Sequence, residues 1–192
     1  MSIPRYASRV ISSGTEAEVT LVKDVLAYIR AAYVYFDSAD KASVTELIDG
    51  ILGDYNRTFE AVEGNTNTEC GVSGVAIVLE EKPAIRFLLP DGADVSAYTF
   101  KVGNASVAYT TGTMDVDGKI YTYAEVSLYA YQLIREITYT NGTDSGSYHV
   151  NSYYTFVTTD SEHKDNVSLI TLVEKLYNYA KAAEAYRASV AN

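Results

Sequence analysis

The chain has 192 residues, enough for one domain or for a large domain with an added fragment. Hydrophobic residues make up 47% of it, so a sizeable core can form, and its single cysteine excludes an internal disulfide. The formal net charge of −10 argues against nucleic acid and anionic membrane surfaces as partners, because their phosphates would be repelled. No run of about 18 apolar residues occurs, so we expect no membrane insertion.

Both ends of the chain carry helical patterns. Residues 15–36 begin with Thr15 before an acidic first turn, and their apolar residues recur with the spacing of one helical face. A second, shorter helix is predicted over residues 42–52. A third is predicted over residues 166–190, a segment without Gly or Pro before residue 190.

Between about Phe59 and Phe156 the apolar runs become short, β-branched and aromatic, with turn signals between them. The predicted strands are Val72–Leu79, Ala84–Leu89, Tyr98–Val102, Val107–Met114, Ile120–Leu128, Leu133–Thr140 and Tyr148–Phe156. Asn141-Gly142 is typical of a hairpin turn. About seven strands at this spacing predict an antiparallel β-sandwich, and with the flanking N- and C-terminal helices an α+β fold class.

The first and last long helices resemble each other. Aligning Leu21 with Leu172 also pairs Val22 with Val173, Tyr28 with Tyr179, Ala31 with Ala182, Ala32 with Ala183 and Tyr35 with Tyr186. Each helix follows a tyrosine-bearing segment, Tyr6–Val10 or Tyr153–Val157, that we expect to be a strand. The spacing suits a repeat of one whole domain rather than a solenoid. The alternative is that two amphipathic helices share Leu and Ala by chance.

The helix pattern resembles that of a repeated, β-rich accessory module found in large secreted and cell-surface proteins of gut Firmicutes. Helices of that module carry Tyr-Gly-x-Ala-Ala-Gln-x-Tyr-Phe. The matching residues here are Tyr28, Ala31, Ala32, Tyr35 and Phe36. Ile29 and Tyr33 replace the Gly and the Gln, so the match is loose.

This resemblance implies a non-catalytic, extracellular or cell-surface module of a Gram-positive bacterium, stacked against neighbouring modules of the same parent protein. It also implies a division of the chain. Residues 1–36 would be the tail of a preceding unit, and residues 37–192 would be the β-sandwich module with its C-terminal helix. The alternative, that the first helix belongs to this module, stays open.

Groups that carry catalysis or bind metals are sparse. His149 falls in a predicted strand and His163 in a loop, and neither belongs to a metal-binding motif. Cys70 follows Glu69, whose charge disfavours a reactive thiolate. Asp115–Gly118 is interpreted as a hairpin turn rather than a calcium loop. The carboxylates weighed for glycoside hydrolysis are Glu60, Glu63, Glu80, Glu81 and Glu125, and nothing in the sequence pairs them. We therefore expect no enzymatic activity, no cofactor and no metal.

The best binding candidate lies on the predicted strand Ile120–Leu128. Its even-numbered residues suit a core, so its odd-numbered residues face the other way. Tyr121 and Tyr123 would then lie side by side with Glu125 next to them, an arrangement that could stack on a sugar. This predicts binding of a glycan or glycoprotein at these three residues. The alternative is that an end helix covers this face and that tyrosine occurs here only because it suits strands.

Overall fold

The computed structural model describes residues 3–61, 66–67, 70–79 and 82–191, the side chains of residues 3 and 4 excepted. The chain divides into two compact units. Residues 1–61 and 153–192 form the helical unit, and residues 62–152 form the strand unit. The expected α+β class is confirmed. The predicted division into residues 1–36 and 37–192 refers to successive modules of a longer protein, and it stays a prediction.

The helical unit contains helices at both ends of the chain. They are α1 (Ile3–Ser13), α2 (Glu16–Tyr35), α3 (Lys41–Leu52), α4 (Asn151–Thr159, whose first two residues fall in the strand unit) and α5 (Val167–Val190). The three predicted helices correspond to α2, α3 and α5. Thr15 caps α2 through a capping box with Glu18, and the Asn166 side chain accepts a bond from the Leu169 amide at the start of α5. Among the described residues, no helix has the length and apolarity needed to cross a bilayer.

The two helices of the sequence repeat, α2 and α5, pack against each other. The rings of the equivalent residues Tyr28 and Tyr179 stack, with centroids 5.9 Å apart and planes inclined by 24°. A cleft of about 520 Å³ is lined by the first turn of α2 and the last turns of α5, so the helices run antiparallel. The equivalent residues Tyr28 and Tyr179 therefore meet near the middle of both helices.

Two predicted strands are helices. Tyr6–Val10 lies in α1, and Tyr153–Val157 lies in α4. Packing explains the difference, because tertiary contacts override the local preference of Tyr, Thr and Val for strands. Ala7 of α1 is buried with apolar residues of α2 and α3, and Tyr154 of α4 lies against the ring of Phe59 at 4.3 Å. In both copies of the repeat, a helix therefore precedes the long helix.

The strand unit contains eight strands in its described part, where about seven were predicted. They are β1 (Gly74–Val78), β2 (Ala84–Pro90), β3 (Thr99–Val102), β4 (Ala105–Val107), β5 (Thr110–Val116), β6 (Lys119–Ser127), β7 (Ile137–Thr140) and β8 (Ser145–Tyr148). They form two antiparallel sheets, the first ordered β1-β2-β6-β5 and the second β4-β3-β7-β8. The predicted hairpins at Asp115–Gly118 and at Asn141-Gly142 are confirmed, joining β5 to β6 and β7 to β8.

Aromatic rings connect the two sheets. Phe87 of β2 lies 5.0 Å from both Phe100 of β3 and Tyr139 of β7, measured between ring centroids. All three side chains are fully buried. The face of the first sheet that carries Phe87 therefore points toward the second sheet. The opposite face, which we call the outer face, carries the other residues of each alternating strand.

Candidate functional site

The outer face of the first sheet carries the predicted residues Tyr121, Tyr123 and Glu125. All three lie on β6, and each is half-buried. The even-numbered neighbours Ala124 and Val126 are fully buried, which confirms the predicted alternation in the middle of the strand. Ile120 was expected in the core, but it is exposed because it lies beside the hairpin at the tip of the sheet.

Tyr123 and Glu125 are held by neighbouring strands. Arg86 of β2 is the register partner of Glu125, and its Nε lies 2.6 Å from Glu125 Oε2. The same guanidinium lies 4.6 Å from the centre of the Tyr123 ring. On the other side, Tyr123 pairs with Gly112 of β5, where a built Cβ would be 2.5 Å from the tyrosine hydroxyl. The ring therefore covers the glycine, which fixes its position on the sheet.

Tyr121 has a similar environment one step closer to the hairpin. Lys119 Nζ lies 4.8 Å from the centre of its ring. Its register partners are Pro90 on β2 and Met114 on β5, so the ring has apolar neighbours on both sides. Together the two tyrosines offer amphipathic ring surface with one cation above each ring.

Sequence reasoning missed part of this face. Arg86 was not singled out, because its contact with Glu125 depends on strand pairing across a long sequence separation. Tyr129 and Tyr131 were not singled out either, although Tyr129 continues the odd-numbered alternation of β6. Their rings stack with centroids 5.8 Å apart.

The two histidines and the cysteine have structural contacts. His149 is buried, and burial lowers its pKa. His163 Nδ1 lies 2.7 Å from Asp160 Oδ2 in the loop between α4 and α5, as expected for a loop residue. Cys70 is buried, and burial raises the pKa of its thiol, as expected for an unreactive cysteine.

The carboxylates have local roles where they are described. Asp115 Oδ1 accepts a bond from the Gly118 amide at 2.7 Å, which closes the hairpin turn. Glu60 pairs with Lys181 at 3.2 Å, and Glu125 pairs with Arg86. Glu63, Glu80 and Glu81 lie outside the described residues, as does Glu69 beside Cys70. Within the described part of the chain, one group has donor atoms close enough for a metal ion, formed by Asp160, Glu162 and His163.

Comparison with protein-family models, with curated proteins and with solved structures gives no match for this chain.

Proposed function

We propose that the chain is a non-catalytic structural module of a bacterial secreted or cell-surface protein, with its two sheets forming a sandwich. Its partners would be neighbouring modules of the same parent protein. The observation that supports this most directly is the stacking of Tyr28 on Tyr179 between the two repeat-related helices. Helices α2 and α5 carry the same sequence pattern and pack against each other. The same helix–helix contact could therefore recur between consecutive modules of a longer chain. The resemblance to the accessory module of gut Firmicutes points the same way.

Antibody labelling tests this proposal. An antibody against the module, applied to intact cells that make the parent protein, is expected to label them, and brief protease treatment of those cells should remove the signal. An antibody against a cytosolic protein is the control for cell integrity. Labelling that requires permeabilised cells would contradict an extracellular or cell-surface module.

A second candidate function is glycan binding by the outer face of the first sheet. It is favoured by the half-exposed rings of Tyr121 and Tyr123 on one strand, beside the ion pair of Arg86 with Glu125. Tyrosine rings stack on the apolar faces of sugars, and a paired carboxylate and guanidinium can bond to sugar hydroxyls without leaving either charge alone.

A glycan array tests the second candidate. We expect the purified protein to bind at least one glycan and the double variant Tyr121→Ala/Tyr123→Ala to lose that binding. Tyr6→Ala is the matched control, because Tyr6 is 57% exposed on α1, outside the strand unit. Binding that survives in the double variant would place the site elsewhere, and binding to no glycan would leave the structural function alone.

A further inference from the structure

The first sheet ends in an exposed edge strand, β5. Within the described part of the chain, β5 pairs with β6 on one side and with no strand on the other. Five of its seven residues are exposed. The other edge strands are shorter, with five residues in β1, three in β4 and four in β8. Strand β5 therefore offers the longest free edge of the two sheets.

Edge strands of monomeric proteins usually carry features that prevent pairing with another chain, such as lysine, proline or a β-bulge. The sequence of β5, Thr-Thr-Gly-Thr-Met-Asp-Val, contains neither lysine nor proline. Its one charged residue, Asp115, bonds to the Gly118 amide in the hairpin turn. The register of β5 with β6 is continuous over all seven residues, so no bulge interrupts the strand. The edge of β5 is therefore suited to the addition of another strand.

The hairpin between β5 and β6 determines which backbone groups of β5 face outward. Asp117 and Gly118 have positive φ angles of 52° and 78°, which is typical of a two-residue type I′ turn. The pair that closes such a turn, Val116 with Lys119, is hydrogen-bonded, and bonded pairs alternate with non-bonded pairs along an antiparallel ladder. The residues whose backbone N–H and C=O groups point away from β6, toward the free edge, are therefore Thr111, Thr113 and Asp115.

These outward-pointing backbone groups are complementary to themselves. If β5 pairs antiparallel with β5 of a second copy, centred on Thr113, then Thr113 lies opposite itself and Thr111 lies opposite Asp115. Each of the resulting pairs exchanges two hydrogen bonds, so every outward-pointing group of the three residues finds a partner. A shift of the centre by one residue in either direction would leave one of the three residues without its partner. Backbone bonding therefore favours the register centred on Thr113.

The side chains of β5 fit the same register. Asp115 lies opposite Thr111 of the second copy, so the two Asp115 carboxylates do not face each other. On the outer face, Gly112 lies opposite Met114 of the second copy. The Tyr123 ring covers Gly112, so the thioether of that Met114 meets the ring, and contacts between sulfur and aromatic rings are favourable. Charge and shape therefore both favour a second copy as the partner of this edge.

We propose that two copies of this chain pair through β5, antiparallel and centred on Thr113, and so join their first sheets into one continuous sheet. The proposed module function concerns neighbours along one parent chain, whereas this contact joins two chains side by side. It depends on neither the module function nor glycan binding. Pairing of seven residues covers less surface than the roughly 800 Å² per partner of a standard interface, so the association depends on concentration.

Analytical ultracentrifugation of the purified protein, from about 1 μM to about 1 mM, tests the pairing. We expect a monomer at the low end, a dimer at the high end and no larger species. Thr113→Lys places two like charges directly opposite each other and should raise the dissociation constant of the dimer at least about tenfold. Thr113→Glu should do the same. An equal mixture of the two variants should dimerise again, because opposite charges then meet at the centre of the pairing.

Amide hydrogen exchange tests the register, and a matched variant controls for charge. The amides of Thr111, Thr113 and Asp115 should exchange rapidly in the monomer and more slowly as the dimer forms. The amide of Met114, which faces β6, should be protected at every concentration. Thr99→Lys makes the same substitution at an exposed threonine of β3, in the second sheet, and should dimerise like the parent protein.

Four results would overturn this proposal. They are a monomer throughout the concentration range, a dimer that Thr113→Lys leaves intact, a mixture of the lysine and glutamate variants that stays monomeric, and assembly beyond the dimer. Slow exchange of the Thr113 amide in the monomer would also overturn it, because another part of the chain would then cover the edge. Restored dimerisation in the mixture would support the two-fold pairing and would show that both variants fold.

Discussion

Asp24 is a buried carboxylate on α2, only 1% exposed. Its oxygens accept two bonds, from the Tyr55 hydroxyl at 2.9 Å and from Arg57 Nη1 at 2.6 Å. Burial, followed by the charge of Asp24, raises the pKa of Tyr55. Tyr55 and Arg57 belong to the segment after α3, and the Arg57 carbonyl in turn accepts bonds from Lys175 and Asn178 of α5. Asp24 therefore connects this segment to the paired long helices.

Removing that carboxylate should destabilise the protein clearly. Asp24→Ala leaves the Tyr55 hydroxyl and the partly buried guanidinium of Arg57 without their acceptor, and we expect a loss of about 2–4 kcal/mol in the free energy of unfolding. Asp49→Ala is the matched control, because Asp49 pairs with Arg30 where both side chains are about half exposed, and it should cost less than about 1 kcal/mol. Urea unfolding of both variants measures the difference. Equal losses of unfolding free energy in the two variants would show that burial does not determine how much each ion pair stabilises the protein.

Among the elements, both sheets place a glycine directly opposite a tyrosine. Gly112 faces Tyr123 between β5 and β6, and Gly146 faces Tyr139 between β7 and β8. A Cβ added to Gly112 would lie 2.6 Å from the nearest ring atom of Tyr123, and one added to Gly146 would lie 2.5 Å from that of Tyr139. The two rings differ in freedom, since Tyr139 is buried between the sheets and bonds to the Asn67 carbonyl, whereas Tyr123 is half-exposed on the outer face.

This difference predicts unequal effects of the same substitution. Gly146→Ala should cost about 1–3 kcal/mol of unfolding free energy, because the buried Tyr139 ring packs against Phe87 and Phe100 and can move only by disturbing them. Gly112→Ala should cost less, because the Tyr123 ring can turn toward solvent. Chemical denaturation measures both values. A larger loss for Gly112→Ala would mean that the outer face is as tightly packed as the core.

Local patterns predicted the elements that local physics determines. The first residues of α2 and α5 follow from the N-caps Thr15 and Asn166, and the two hairpins follow from turns rich in Asp, Asn and Gly. Elements decided by packing were missed. The sequence of helix α4 is typical of a strand, and its helical state depends on packing against Phe59 and α5. Strand β4 has three residues, too few for a periodic signal.

The candidate site was predictable to the same extent. Alternation along one strand brings Tyr121, Tyr123 and Glu125 to a common face without knowledge of the neighbouring strands. Arg86 and Gly112 complete the site only through the register of β2 and β5, which no local pattern specifies. The sequence also left open whether Tyr121 and Tyr123 are exposed or covered, because their exposure depends on neighbouring elements and not on β6 alone.

For the molecule as a whole, the most distinctive property is its 18 tyrosines, several of them held in the neutral form. Burial is the main cause in each case. It raises the pKa of Tyr139 to about 12, and it raises the pKa of six others above 10, namely Tyr28, Tyr55, Tyr98, Tyr153, Tyr154 and Tyr179. These residues belong to both units, so the effect extends through the chain.

Alkaline pH should therefore unfold the protein. An unfolded tyrosine loses its proton near pH 10, whereas a buried one keeps it, so these groups stabilise the fold fully below pH 10 and lose that contribution as the pH rises toward about 12. The buried thiol of Cys70 acts in the same direction from about pH 9. Phenolate absorbance and circular dichroism, recorded together from pH 8 upward, should show tyrosine ionisation and loss of structure in one transition.

Tyr139→Phe isolates one of these groups. The variant loses the bond to the Asn67 carbonyl, which should lower the unfolding free energy by about 1 kcal/mol at every pH. It also removes one ionisable hydroxyl whose pKa differs between the folded and the unfolded chain. The unfolding free energy should therefore fall less steeply with alkaline pH than in the parent protein. Tyr6→Phe, at an exposed ring, is the control. If the slope of Tyr139→Phe equals that of the parent protein, Tyr139 ionises alike in the folded and unfolded chain, and burial does not hold it neutral.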